Sequence, residues 1–203
     1  RPGSQQSIIF SGYLTVPRAN DKEAGIQLMN NILGSDFTSR VNMNLREDKH
    51  WTYGAASFLW DAKGQRMHIT YSPVQGDKTA DAMKEIQKEM EMIIGENPPT
   101  QAEFTKTQSN VILGLPGSWE TIAQVSGSLA EIVQYNLPDN YFQEYPAKVH
   151  SLTVQDIDQA AKMVIKPNAL VWVIVGDKSK IEESIKALGF EKIHHMDADG
   201  NLL

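Results

Sequence analysis

The alternation of apolar and polar residues predicts strands near both ends of the chain and a hairpin in its first half. Four segments are rich in β-branched and aromatic side chains and end at turn residues: 6–16, 51–60, 66–72 and 169–175. Only the short segment Asp61–Gln65 separates the second from the third, so we predict that these two pair as a β-hairpin. A short edge strand is predicted at Phe190–His194.

Helical spacing of apolar residues predicts helices in most of the remaining sequence. In Asp77–Ile94, the apolar side chains at positions 80, 83, 86, 90, 93 and 94 share one face. Other helices are predicted at 21–31 and 37–47, after the capping residues Thr100, Ser118 and Thr153, and at 179–188. The helix after Ser118 has four apolar side chains on a shared face: Trp119, Ile122, Leu129 and Val133.

The predicted hairpin decides the fold class. Because a hairpin requires antiparallel pairing, we expect a mainly antiparallel sheet rather than a doubly wound parallel one. With helices filling the rest of the chain, the prediction is an α+β protein, a two-layer α/β sandwich with helices covering the sheet. At 203 residues the chain suits one domain, residues 1–203.

Composition and charge exclude some classes of function. The 19 basic and 25 acidic residues give a net charge of −6, which argues against a nucleic-acid-binding groove. Apolar runs such as Leu170–Val175 are too short to cross a bilayer, so we expect no membrane contact from this segment. The chain has no cysteine, which excludes disulfides and thiolate zinc sites. Lack of cysteine fits the cell envelope and the cytosol alike, and localisation is not determined.

The spacing of the histidines does not suit a catalytic zinc site. Such a site on a helix needs two histidines one turn apart, with a glutamate as base. The chain contains five histidines, none of which is four residues from another: His50, His68, His150, His194 and His195. No H-x-x-E-H motif is therefore present in either direction, and we expect no metal or other cofactor in this chain.

Arg46 and Tyr53 are the candidate binding residues. At about 100° per residue, Phe37, Val41 and Leu45 form one apolar stripe, and Arg46 lies about 140° from its centre. Arg46 is thus predicted to point away from the core side of its helix, which fits a substrate, a facing domain or plain solvent. Tyr53 begins a predicted strand, where its ring can pack while its hydroxyl reaches a polar partner.

The segment around this pair resembles a known family signature. Residues 31–54, NILGSDFTSRVNMNLREDKHWTYG, resemble the pattern N-x-L-G-G-x-F-x-S-R-L-N-x-x-L-R-E-x-x-G-x-x-Y-G of the pitrilysin/insulinase-like zinc metallopeptidases, which include the mitochondrial processing peptidases. Residues 137–145, 151–161 and 166–177 are similar to the closing third of these domains. The chain departs from the pattern at Asp36, in the glycine-rich turn, and at Lys49-His50-Trp51, where a glycine is usual. The second departure leaves the turn before Tyr53 open to question.

The resemblance implies that the chain is the non-zinc half of a two-part peptidase. Domains of this family occur in homologous pairs, in which one carries the H-x-x-E-H zinc helix and the other carries the arginine and tyrosine. We therefore expect a catalytically incomplete domain, the C-terminal part of a longer protein, whose fused or separate partner domain holds the zinc.

By the same resemblance, Arg46 and Tyr53 are expected to bind the backbone carbonyl of a peptide substrate. They would then help to stabilise the negative charge of the tetrahedral intermediate. The alternative is a domain of the same fold that serves only assembly, as the core subunits of the respiratory bc1 complex do.

Overall fold

The computed structural model describes residues 1–203 and contains a four-stranded antiparallel sheet. The strands are β1 (Gln6–Thr15), β2 (Ala56–Trp60), β3 (Arg66–Gln75) and β4 (Val171–Val175), in the spatial order β2-β3-β1-β4. The hairpin forms between β2 and β3, and β1 pairs with both β3 and β4. The α+β fold class, predicted from the hairpin, is confirmed.

Two strand predictions need correction. The predicted strand at 51–60 begins only at Ala56, because residues 51–55 form a loop that is held by hydrogen bonds to the end of β3. No strand forms at Phe190–His194. That segment follows Gly189, which turns the chain at φ 81°, and its two charged residues leave no continuous apolar side to bury.

The helices account for most of the rest of the chain. In order they are α1 (Glu23–Asn30), α2 (Arg40–Asn42), α3 (Thr79–Ile94), α4 (Gln101–Gly114), α5 (Ile122–Tyr135), α6 (Tyr141–Ser151), α7 (Val154–Val164) and α8 (Lys178–Lys186). Two of them continue as wider π-helical segments, α1 into Asn31–Ser35 and α2 into Met43–Asp48. None of the helices is long and apolar enough to traverse a bilayer.

Three helices begin with a reciprocal capping box. At Thr100, Thr121 and Thr153 the threonine hydroxyl accepts from the backbone of the third helical residue, whose side chain accepts from the threonine backbone. The cap of α5 is thus Thr121 rather than the predicted Ser118, which lies in a 3₁₀ turn at Pro116–Trp119. Thr121 is followed three residues later by Gln124, the partner that a capping box needs.

The core lies on one side of the sheet. Residues of α1, α3 and α7, such as Leu28, Ile86 and Ile157, are fully buried there together with Ile9 of β1. The opposite side, which we call the open face, consists of residues that are exposed or only half-buried. Its members come from all four strands: Ile8, Phe10, Gly12, Leu14, Ala56, Phe58, Trp60, Met67, Ile69, Tyr71, Pro73, Val171, Val173 and Val175.

The polarity of the two sides is the reverse of the usual arrangement. The open face has no charged residue, whereas hydroxyl and imidazole groups occupy the side that the helices cover. His68 and Thr70 on β3 are fully buried, and neither the ring nitrogens nor the hydroxyl has a hydrogen-bond partner. His68 stacks on Tyr13 of β1, with ring centroids 5.2 Å apart. Burial, followed by the positive charge of Arg66, lowers the pKa of His68 to about 4.

A buried ion network joins α1 to the hairpin. The fully buried Arg66 donates to both carboxylate oxygens of Glu23, at 2.9 and 2.6 Å, and to Asp61 at 2.7 Å. Arg18 extends the network to Glu131 on α5, with a 2.9 Å bond from its Nε. Two arginines therefore share a set of three carboxylates, only one of which, Glu23, is fully buried.

Candidate functional site

The segment 31–54 packs directly on the edge strand β2. A Cβ added to Gly34 would lie 2.6 Å from the backbone nitrogen of Ser57, so only glycine allows this approach. Beside it, Ser35 donates to the carbonyl of Ser57 at 2.8 Å, and the hydroxyl of Ser57 donates to Asn30 at 2.8 Å. The glycine of the motif thus fixes the position from which the rest of the segment starts.

Arg46 lies on the π-helical segment that follows α2. Its guanidinium carbon lies 4.4 Å from the centroid of the Phe37 ring, and its Nε lies 3.5 Å from a carboxylate oxygen of Glu47. Val41 and Leu45 are buried, as the predicted stripe requires, but Phe37 is 66% exposed and does not belong to the core. The ring of Phe37 instead supports the guanidinium on the outer surface, a cation–π contact.

Tyr53 lies in the loop between the π-helical segment and β2, and it is 90% exposed. The loop around it is well anchored. The hydroxyl of Thr52 donates to Pro73 and accepts from the backbone of Gly54, and the side chain of Asn42 accepts from Ala55 at 2.9 Å. The backbone is therefore held in place while the phenol projects outward.

His50 occupies the position at which the family pattern has glycine. Its φ of 57° lies in the left-handed region that glycine adopts without strain. The Nδ1 atom of His50 lies 3.1 Å from the carbonyl oxygen of Arg46, within hydrogen-bonding distance. The left-handed turn is thus retained at the non-glycine residue, which answers the question that the sequence departure raised.

We predict that His50→Gly will be more stable than His50→Ala by about 1 kcal/mol. Alanine must take up the strained left-handed conformation without the contact between the ring and Arg46, whereas glycine adopts this conformation without strain. The strain that glycine avoids outweighs the larger conformational entropy that glycine loses on folding. Urea unfolding of the two variants measures the difference. Equal stability would mean that position 50 relaxes out of the left-handed conformation.

Two further motif residues have structural roles that the sequence did not indicate. Arg40 donates two hydrogen bonds of 2.7 Å to Glu103 of α4 and further bonds to the carbonyls of Asn97 and Pro98. Burial alone would raise the pKa of Glu103, but the bonds from Arg40 and Thr100 lower it below its usual value. The second residue, Asn42, bridges Phe37 and the Tyr53 loop. The family pattern contains both residues, and their place in that pattern is the signal that could have found them.

The arrangement of the donor side chains does not fit a catalytic zinc. No three side chains of histidine, aspartate or glutamate lie close enough together to hold a metal ion. The closest acid–histidine pair near the C-terminus is His195 with Glu182, at 3.2 Å. What this surface offers to a ligand is a guanidinium and a phenol, which are hydrogen-bond donors rather than metal ligands.

Solved structures of three proteins share the fold. The peptidase M16 inactive domain from Pseudomonas fluorescens superposes with a TM-score of 0.78 at 23% identity, over 86% of this chain and 41% of that one. An inactive peptidase domain from Bordetella parapertussis gives 0.73 at 15% identity, over 87% of this chain and 95% of that one. A chain of complex III from Candida albicans gives 0.71 at 12% identity, over 92% and 47%. This chain therefore spans less than half of the Pseudomonas and Candida chains.

The family model described as the peptidase M16 inactive domain matches residues 1–111. No curated protein sequence matches the chain significantly. The matched residues include β1, the hairpin and the whole of the segment 31–54, so the resemblance drawn from that segment is confirmed. This chain belongs to the peptidase M16 family, as a domain of the inactive type.

Proposed function

We propose that this domain binds the peptide substrate of a zinc metallopeptidase, in a cleft that it shares with a homologous zinc-bearing domain. The observation that carries the proposal is the exposure of Tyr53 on an anchored loop, next in sequence to the surface that presents Arg46. An aromatic side chain that is 90% exposed gains nothing for folding, whereas an outward phenol on a fixed backbone suits contact with a ligand.

The two side chains suit the chemistry of peptide hydrolysis. A guanidinium stays charged at any working pH and presents a planar set of donors, and a phenol adds one directed hydrogen bond. Aimed at the carbonyl oxygen of the scissile peptide, these donors strengthen their bonds as negative charge develops there. The cation–π contact with Phe37 restricts the guanidinium before substrate arrives, which reduces the entropy lost on binding. Zinc in the partner domain would supply the activated water.

The test is turnover by the complete peptidase, with both domains present. We predict that Arg46→Ala and Tyr53→Phe will each lower kcat/KM by about a hundredfold, the usual effect of losing one donor to an oxyanion. Zinc content, measured by elemental analysis, should not change. Lys49→Ala is the matched control, because it removes a neighbouring exposed cation that lies over Trp51. Turnover by that variant should equal that of the unmodified protein.

A domain that serves only assembly is the second candidate function, and the fold shared with a complex III chain favours it. The same variants separate the two. If Arg46→Ala and Tyr53→Phe both turn over peptide at the rate of the unmodified protein, then the pair does not contact the reacting carbonyl. The assembly role would then be the better explanation for this domain.

A further inference from the structure

A single buried side chain hydrogen-bonds to both of the segments on which the two candidate donors depend. It belongs to Asn42, the last residue of α2, which is 4% exposed. We propose that Asn42 is a positioning residue for the peptidase reaction, because it fixes Arg46 and Tyr53 relative to each other. This role rests on the proposed function of the pair, and separate measurements test the two.

The orientation of the Asn42 amide follows from the chemistry of its two partners. Its Nδ2 donates to the carbonyl oxygen of Phe37 at 2.6 Å, and its Oδ1 accepts from the backbone nitrogen of Ala55 at 2.9 Å. A carbonyl only accepts and a backbone N–H only donates, so the reversed amide could form neither bond. Aspartate at this position could keep the second bond but not the first, and leucine could keep neither.

The first hydrogen bond acts on Arg46. Phe37 lies in the turn before α2, and the centroid of its ring is 4.4 Å from the guanidinium carbon of Arg46. Because the ring is 66% exposed, the core does not hold it, and its direction depends on the backbone from which it projects. The bond from Asn42 fixes that backbone at the carbonyl of Phe37. A change at Asn42 should therefore reach the guanidinium through the ring that supports it.

The second hydrogen bond acts on Tyr53. Ala55 follows Tyr53 by two residues and is 7% exposed, so its backbone nitrogen needs a partner within the protein. On the other side of the phenol, Thr52 donates to the carbonyl of Pro73. Tyr53 is thus held from both sides, through Thr52 to β3 and through Ala55 to α2. Only the bond to α2 leads to the segment that supports the guanidinium.

The relative position of the two donors matters because both are proposed to bind one oxygen atom. Donors stabilise an oxyanion only if they lie within hydrogen-bonding distance of the position that it occupies in the transition state. Catalytic groups must be held within about 0.5 Å of the productive geometry, and a displacement of about 1 Å can lower the rate about a hundredfold. Loss of the bonds from Asn42 should therefore lower kcat more than it raises KM.

The experiment measures peptide turnover by the complete peptidase, with both domains present. Asn42→Leu removes both bonds at similar side-chain volume, and it should lower kcat at least about tenfold while changing KM less than about threefold. Zinc content should not change, and circular dichroism verifies the fold. Asn44→Ala is the matched control, because it removes a neighbouring buried amide that donates to Glu85 and Glu89 of α3 instead. Its kcat should equal that of the unmodified protein.

Combined variants distinguish positioning from a purely structural role. In a protein that carries both Arg46→Ala and Tyr53→Phe, Asn42→Leu should cause no further loss of kcat, because no donor is left to misplace. Asn42→Asp is a second variant in case Asn42→Leu does not fold. Since aspartate keeps the bond from Ala55, it should act through the guanidinium alone. It should lower kcat in the Tyr53→Phe background and have no effect in the Arg46→Ala background.

Two results would overturn the proposal. One is unmodified kcat in the Asn42 variants while Arg46→Ala and Tyr53→Phe are impaired, which leaves the proposed function intact. The other is a further loss of kcat when Asn42→Leu is added to the variant that lacks both donors, because only a structural role predicts that loss. Unmodified turnover in both Arg46→Ala and Tyr53→Phe would instead reject the proposed function, and the positioning role with it.

Discussion

Replacing Glu23 with alanine should lower the free energy of unfolding by about 3–5 kcal/mol, the usual cost of removing one partner from a buried ion pair. The carboxylate of Glu23 accepts two hydrogen bonds from Arg66, and both side chains are almost completely excluded from solvent. Without it, the Arg66 guanidinium keeps only Asp61 as an acidic partner at bonding distance. Urea unfolding at neutral pH measures the loss.

Two further variants show whether the loss of stability comes from the unpaired buried charge of Arg66. Asp61→Ala removes a carboxylate that is 28% exposed, and water can replace it, so its effect should be less than half as large. The double variant Glu23→Leu with Arg66→Met replaces the pair with apolar side chains of similar size. It should recover much of the loss, because no unpaired buried charge remains. If Glu23→Ala lowers the free energy of unfolding by less than about 1 kcal/mol, then the buried ion pair does not have the stabilising role described here.

The second large effect is a dependence of stability on pH that originates at His68. Its pKa in the folded chain is about 4, below the usual 6.5, because burial disfavours the charged ring. Between these two values the unfolded chain binds a proton that the folded chain does not, so stability falls as the pH is lowered from about 6.5 to about 4. The total loss from this group is about 3 kcal/mol, and below pH 4 it contributes no further loss.

His68→Phe isolates this contribution. Phenylalanine keeps a ring against Tyr13 and removes two nitrogens that have no hydrogen-bond partner, so the variant should fold. Between pH 6.5 and 4 the free energy of unfolding of this variant should fall less steeply than that of the unmodified chain. The difference in slope should correspond to about one bound proton. Urea unfolding at several pH values gives both curves. Parallel curves would mean that His68 does not titrate differently in the two states.

The sheet could be predicted from the sequence, but not the side on which the core lies. Alternation along β1 separates Ile8, Phe10 and Leu14 from Ser7 and Ser11, and a simple reading places the larger apolar set inside. The structure buries the serines, because that side of the sheet faces the core to which α1, α3 and α7 contribute. Which side of a sheet receives the helices depends on the chain path between distant elements, which local periodicity does not contain.

The helices show the same division between local and long-range information. Helix α3 was predictable because its apolar positions and its terminal Gly95 are local signals. Helix α6 has no counterpart among the predicted helices, since Pro146 lies inside it and it has only one buried residue, Val149. Of the predicted shared face of α5, Ile122, Leu129 and Val133 lie on the helix but are exposed to solvent, whereas Trp119 lies outside it, in the 3₁₀ turn Pro116–Trp119.

In the candidate site, Val41 and Leu45 are buried whereas the Arg46 side chain is 32% exposed, as its predicted position away from the apolar stripe requires. The position of Phe37 could not be read from helical spacing, because its ring leaves the stripe to contact a guanidinium nine residues later. The helix was predicted to begin at residue 37, but it begins only at Arg40, and Phe37 lies in the turn before it, where helical spacing does not apply.

The anchoring of the Tyr53 loop has a consequence for how this domain tolerates change. Thr52 and Trp51 bond to Pro73 and Gln75, at the end of β3 farthest from the hairpin turn. Insertions at residues 63–65 would therefore occur about 30 Å along the strand from the phenol and should not displace it. A one-residue slip in the pairing of β3 with β1 would move Tyr53 by the length of one residue along the strand. The position of the phenol is therefore set by the register of the strands rather than by the loop sequence.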